Sequence, residues 1–309
     1  MRILITGGAG FIGSHLAERL LRENHEVAVL DNLRRGRREN LPASHSRLRF
    51  LEGDIRDPAD VSRAMEGVSA VFHLAAQSNV LGAVTDLDYS FTTNVAGTFQ
   101  VLLAAERARA GRVVFTSSRE VYGEPAGLPV PESAPLEPKN AYGASKAAGE
   151  LYCRVFASRG LDVAVLRLAN VYGPRDRGRV IPIFLENAVS GAPLKLNGGE
   201  QMIDFVWIGD VVDALCRAGL GAKLPGPVNI GSGKGTSIRE LARRTLELTG
   251  AASRIEVAPA NAVEVVHFVA DTSQAQRLWG IGQPADPLSH LPEVLHWIER
   301  QAAATVQEA

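Results

Sequence analysis

Short apolar runs alternate with longer stretches of helical periodicity through the first half of the chain. Ile3–Thr6, Val27–Leu30, Leu48–Leu51, Ala70–Leu74, Val113–Thr116 and Val163–Leu168 are rich in aliphatic residues with little polar alternation, as expected of strands buried on both faces. Helical patterns fill the intervals, which predicts right-handed crossovers and one parallel sheet, an α/β doubly wound Rossmann arrangement. After residue 168 the regularity falls away into shorter elements. We therefore expect a cofactor-type domain over residues 1–168 and a smaller α/β lobe over 169–309, interleaved with the first. Helices near Tyr89–Ala108 and Ala141–Ser158 are alanine-rich, which suits either close packing on the sheet or a helical homodimer interface. Gly231–Thr236 lacks phosphate-loop spacing and reads as a turn before a helix near Ser237, and Ala302–Ala309 is expected to fray.

Composition narrows the class of partner. With 33 Lys and Arg against 34 Asp and Glu among 309 residues, the net charge of −1 offers no footprint for nucleic acid. The two cysteines, Cys153 and Cys216, lack the spacing of a disulfide framework or a metal site. They read as packed thiols in a reducing cytoplasm. There is no leader-like start and no apolar run of membrane-spanning length, so a membrane is not an expected partner.

The chemistry begins in the first strand. Gly7-Gly8-Ala9-Gly10-Phe11-Ile12-Gly13 joins that strand to a helix, where Gly7 and Gly10 serve the turn and close approach to a pyrophosphate. Gly13 lets the helix pack on the strand. The helix start points free N–H groups and a positive dipole end at the anion. Asp31, 18 residues past Gly13 and closing the second strand, is placed to accept from the adenosine ribose hydroxyls. A carboxylate there repels a 2′-phosphate and favours NAD over NADP. Arg34-Arg35-Gly36-Arg37-Arg38 could hold such a phosphate, but reads better as a solvated loop.

Tyr142 and Lys146 are four apart on a helix and share a face. An ammonium beside the phenol is expected to draw the tyrosine pKa down from about 10 toward the working range, fitting it for proton exchange with a substrate hydroxyl during hydride transfer. Ser118 ends the strand of Thr116-Ser117-Ser118, on the sheet edge where such folds bind ligands, and can bond the same oxygen.

These motifs together resemble the extended short-chain dehydrogenase/reductase family, within it the nucleotide-sugar epimerases and dehydratases of the UDP-glucose 4-epimerase type. The resemblance runs essentially end to end. It implies an NAD site formed by Gly7, Gly10, Phe11, Ile12, Gly13, Asp31, Asn32, Leu33, Arg34, Gly36, Asp54, Ile55, Leu74, Ala75, Ala76, Gln77, Asn94, Thr116, Tyr142 and Lys146. It implies a catalytic set of Ser118, Tyr142, Lys146 and Glu120, and substrate contacts from Ser118, Asn170, Arg179 and Glu264. The implied reaction is a nucleotide-sugar 4-epimerisation through a transient 4-keto sugar.

Two departures keep alternatives open. Glu120 stands where related dehydratases carry the base that removes the C5 proton, but Arg119 replaces their acidic aspartate and cannot donate a proton near neutral pH. Glu120 is thus either a C5 base or a structural partner of Arg119. At the nucleotide end, Asn197 stands for the family's aromatic, Ile203 for one diphosphate arginine and Asn261 for the other, leaving Glu264 for the ribose. Each lost charge-assisted contact is worth about 1.5–3 kcal/mol. Either Arg175, Arg177 or Arg179 compensates, or the substrate is a smaller hydroxylated metabolite handled by an NAD-dependent oxidoreductase.

Overall fold

The computed structural model describes residues 1–78, 80–259 and 265–308, with side chains as far as residue 303. All six expected strands form: β1 (Arg2–Thr6), β2 (Glu26–Asp31), β3 (Leu48–Glu52), β4 (Ala70–His73), β5 (Arg112–Ser118) and β6 (Val163–Leu168). A short strand from beyond residue 168, Val228–Ile230, pairs with β6 and completes a seven-stranded sheet. The pairings are all parallel, in the order Val228–Ile230, β6, β5, β4, β1, β2, β3. This order brings the carboxyl ends of β1, β4 and β5 side by side, where Thr6, His73 and Thr116 to Ser118 converge.

Helices cover both faces. On one lie α1 (Phe11–Arg22) and Ile208–Leu220, the latter contributed by the later half of the chain. There is no room for more than a hydrogen at Gly219, where a Cβ would come within 2.3 Å of the Phe72 ring. On the other face α2 (Pro58–Ala64), Thr98–Arg107 and Ala141–Ser158 pack over a second apolar cluster. Side-chain caps fix where several helices begin: Asp57 accepts from Ala59 N–H at 2.8 Å, and Asn140 from Gly143 N–H at 2.9 Å.

The helix expected over Tyr89–Ala108 is not continuous. Leu87–Phe91 and Thr98–Arg107 flank a π-helical segment, Thr92–Gly97. The cause is Asn94, whose side chain bonds both the N–H and the carbonyl of Gln77, at 2.7 and 3.1 Å, and reaches Ser145 Oγ at 2.9 Å. A widened turn is what such a side chain needs to face a functional cleft.

The remaining elements form their own apolar cluster around Phe184, Phe205 and Leu241. Met202–Trp207 is the hub there, pairing with Asn170–Tyr172, Gly235–Ser237 and His267–Phe268. Gly231–Thr236 does form a turn and short strand leading to a helix at Ile238, capped by Ser237. The final helix spans Leu291–Glu308.

Candidate active site

The glycine turn is dimensioned for an anion. Gly7 sits at φ +70°, which L side chains rarely adopt, and its N–H donates to the Leu30 carbonyl at 2.8 Å. A Cβ on Gly13 would lie 2.3 Å from the Gly7 carbonyl oxygen. Glycine here is therefore a packing requirement of the strand-to-helix turn, and the cradle fits a dinucleotide pyrophosphate. Gly13→Ala is expected to weaken NAD binding about tenfold or more by forcing this turn open, checked by titrating cofactor fluorescence.

Asp31 is buried and accepts from the N–H of Ala9 and of Leu33, both at 2.9 Å. Burial pushes its pKa up, and the two backbone donors oppose the shift. The carboxylate thus welds the glycine turn to the loop after β2, where a Cβ on Gly36 would meet it at 2.7 Å. Asn32 donates to Asp54 at 2.9 Å, and Asp54 also pairs with Arg56 at 2.8 Å. Burial works against the Asp54 carboxylate, but the bonds from Arg56 and Asn32 outweigh it and hold its pKa low. Ile55 beside it is buried. Arg34 lies exposed over the Tyr89 ring, 3.6 Å from its centroid.

Leu74 to Gln77 leave β4 under the same cleft. The Leu74 N–H donates to the Thr6 carbonyl at 3.1 Å, and the Ala75 N–H to Thr6 Oγ1 at 3.3 Å. Behind them His73 lies between Thr6 and Thr98 hydroxyls, at 2.7 and 2.9 Å. Burial, with the Lys146 charge, drives its pKa down to about 3, so it is a neutral structural imidazole.

At the centre, Ser118, Tyr142 and Lys146 come together as the sequence predicts. Ser118 stands close enough to lower the Tyr142 pKa, and its hydroxyl accepts from the Glu120 N–H at 3.2 Å. Lys146 is buried, donates to the Thr116 carbonyl at 2.9 Å, and lies 6.0 Å from the Tyr142 ring centroid. Burial lowers its pKa to about 8, with the Glu150 charge among those resisting. The expected depression of the tyrosine pKa does not occur. Desolvation raises Tyr142 above the ordinary phenol value, and Arg179, Ser118 and Arg119 only partly offset this. The cationic help for a phenolate comes from arginines that spacing alone did not reveal.

Glu120 is buried and engaged. Its carboxylate pairs with Arg119 at 2.9 Å and accepts from Asn140 Nδ2 at 2.7 Å. Asn140 therefore caps the Tyr142 helix and clamps Glu120 with one side chain, a role signalled in sequence only by its capping position. Arg119 Nη1 and Asn170 Oδ1 are buried without a hydrogen-bond partner among the described residues, polar atoms suited to a ligand.

The nucleotide end is more sparsely furnished. Asn197 ends the strand Leu194–Asn197, and Ile203 lies within Met202–Trp207. The neighbouring Asp204 is committed to structure, accepting from Ser232, Gly233 and Ala270. Asn261 and Glu264 lie outside the described residues. Of the three candidate arginines, Arg175 is engaged by Glu18 and Ser14, and Arg177 lies 5.5 Å over the Trp297 ring. Arg179 has a loose contact with Asp176 at 3.7 Å and directs its charge at Tyr142.

Comparison with known proteins agrees with this geometry. Residues 3–231 match the profile of the NAD dependent epimerase/dehydratase family. The chain is 38% identical over 291 residues to a UDP-glucose 4-epimerase of Mycolicibacterium smegmatis, covering 91% of this chain and 93% of that protein. Its fold superposes on a Thermus thermophilus UDP-glucose 4-epimerase solved with NAD at a TM-score of 0.90, with 34% identity over 97% of this chain and 99% of the other. A dTDP-glucose 4,6-dehydratase of Streptomyces venezuelae gives 0.92, with 34% identity over 98% of each. With its glycine cradle and its converged Ser118, Tyr142 and Lys146, the chain belongs to the NAD-dependent epimerase/dehydratase family.

Proposed function

We propose that this protein is a nucleotide-sugar 4-epimerase working on a UDP-hexose or a close analogue. The observation that carries the reading is the Tyr142/Lys146 pair on one helix face, 6.0 Å from ring centroid to ammonium, with Lys146 bonded to the Thr116 carbonyl of the strand that ends in Ser118. The NAD cofactor, when bound, supplies the acceptor and then the donor of hydride. Gly7, Gly10 and Gly13, with Asp31, Asp54 and Asn94, would hold it. Tyr142, as the phenolate, takes the C4 hydroxyl proton and later returns it, while Ser118 orients that oxygen. Lys146 anchors the cofactor side of the site from the Thr116 carbonyl. Asn170 and Arg179 would meet the sugar phosphate, Arg179 taking over charge that Ile203 and Asn261 do not provide.

Glu120 favours epimerisation over dehydration in this reading. A carboxylate already bonded to Arg119 and Asn140 is a poor proton acceptor for C5, and the residue beside it is an arginine rather than an acid. Leu87, Phe91, Leu151 and Val155 expose apolar side chains on adjacent helices, which supports a homodimer through this face. Buried free thiols at Cys153 and Cys216 suit a cytoplasmic setting.

The test is incubation with UDP-, dTDP-, GDP- and CDP-hexoses in deuterium oxide, followed by NMR. The expected product is the C4 epimer with no deuterium at C5 and no net NADH. A 4-keto-6-deoxy sugar carrying solvent deuterium, lost in Glu120→Gln, would establish the dehydratase reading instead. Net NADH with an oxidised product would point to an ordinary oxidoreductase.

A further inference from the structure

Pro174 to Arg179 run from the cofactor helix to the start of the helix Val180–Ser190. At the first end, His15 Nε2 donates to the Pro174 carbonyl at 2.8 Å. Arg175 Nη1 reaches Ser14 Oγ at 3.2 Å, and the same guanidinium pairs with Glu18. Ser14, His15 and Glu18 belong to the first two turns of α1, directly beyond the glycine cradle. At the other end Arg179 opens the helix Val180–Ser190 and donates to the Val171 carbonyl at 3.5 Å, and its charge favours the Tyr142 phenolate. Between them Asp176 is 3% exposed, with Arg179 Nε 3.7 Å away, and Arg35 from the loop after β2 reaches the Arg177 carbonyl at 3.4 Å.

Arg175 itself sits at φ +71°, a left-handed backbone that non-glycine residues rarely adopt. Such a conformation persists only where the surroundings over-determine it. Here the determinants are the Ser14 and Glu18 contacts, made across more than 150 residues of sequence. The segment is therefore held onto α1 by side chains rather than by its own turn preference.

We propose that Pro174 to Arg179 form a strap that retains the dinucleotide, with Arg175 as the positioning residue that fastens it to α1. The chemistry gives such a strap a purpose. In an epimerisation the hydride removed from C4 must return from the same cofactor, so a cofactor that leaves between the two transfers strands a keto sugar. A strap running from the pyrophosphate end to the start of the helix Val180–Ser190 closes that exit. The inference rests on NAD binding and the epimerase reading supplies its purpose, but its test needs no sugar.

The experiment loads the protein with NADH, removes free cofactor by desalting, and follows release by loss of bound-cofactor fluorescence against excess NAD. Arg175→Ala and Glu18→Gln are each expected to release cofactor about tenfold faster, since cutting such contacts acts mainly on dissociation. The double variant should be no faster than Arg175→Ala alone, because Glu18 acts through the Arg175 guanidinium. Release at the wild-type rate in both folded single variants, judged by unchanged circular dichroism, would overturn the strap. Additive acceleration would also overturn it, by showing that the two residues act separately. Because release is read without substrate, failure of the epimerase reading would appear only in the sugar panel.

Discussion

Tyr142→Phe should cut turnover of the epimerised sugar by about 10²–10⁴-fold, the usual contribution of a positioned acid-base group, while the protein still retains NAD. The change removes one oxygen from a residue whose ring is already packed, so folding is expected to be unaffected. Its force lies in what Tyr142 has around it. The charges of Arg179 and Arg119 act to lower its pKa, as does Ser118, and Lys146 lies one turn along the helix. Burial holds its proton on more tightly than in water, so proton release must be coupled to binding and to the positive charges that converge there. Steady-state turnover and cofactor content after desalting, measured on the same preparation, check the two halves of the expectation. Activity at the wild-type level would remove Tyr142 from the mechanism.

The largest loss of stability is expected behind that site. Glu150 and Arg167 form a two-pronged ion pair at 2.7 and 2.9 Å, with each side chain 3% exposed. Ser117 donates to the same carboxylate at 2.5 Å. Arg167 also donates to the Tyr122 hydroxyl, which in turn donates to Asn229 at 2.6 Å. The network thus fastens β5, β6, the strand Val228–Ile230 and the Tyr142 helix at one point. Glu150→Ala leaves a guanidinium buried and unpaired, which costs about 3–5 kcal/mol. Replacing both partners, Glu150→Leu with Arg167→Met, removes the stranded charge and should restore most of the loss. Urea unfolding of both variants beside the wild type checks this, and a cost below about 1 kcal/mol for Glu150→Ala would show that the pair is dispensable. Because Glu150 lies one helical turn beyond Lys146, and Ser117 adjoins Ser118, the same network also carries the catalytic groups on a rigid support.

Much of this protein is determined locally, and that much the sequence by itself fixes. Most of the first six strands are apolar runs, so their period and burial are written in adjacent residues, while the edge strand β3 keeps Arg49 and Glu52 exposed. The Gly7 to Gly13 turn, Asp31 at a strand end and the Tyr142/Lys146 pair depend on spacing along one element, and each ends where spacing places it. Tertiary structure decided everything that depends on which side chains meet. Glu120 is engaged because Asn140, twenty residues on, turns toward it while Arg119 folds back on it. The helix around Asn94 opens because Gln77 lies opposite. Arg175 is drawn to α1 rather than to the diphosphate end, leaving Arg179 beside the tyrosine. The Tyr142 proton is held by desolvation, which no spacing rule contains. Periodicity and turn chemistry are properties of neighbouring residues, whereas ion pairing and pKa depend on distances and dielectric that exist only once the sheet has brought its strand ends together.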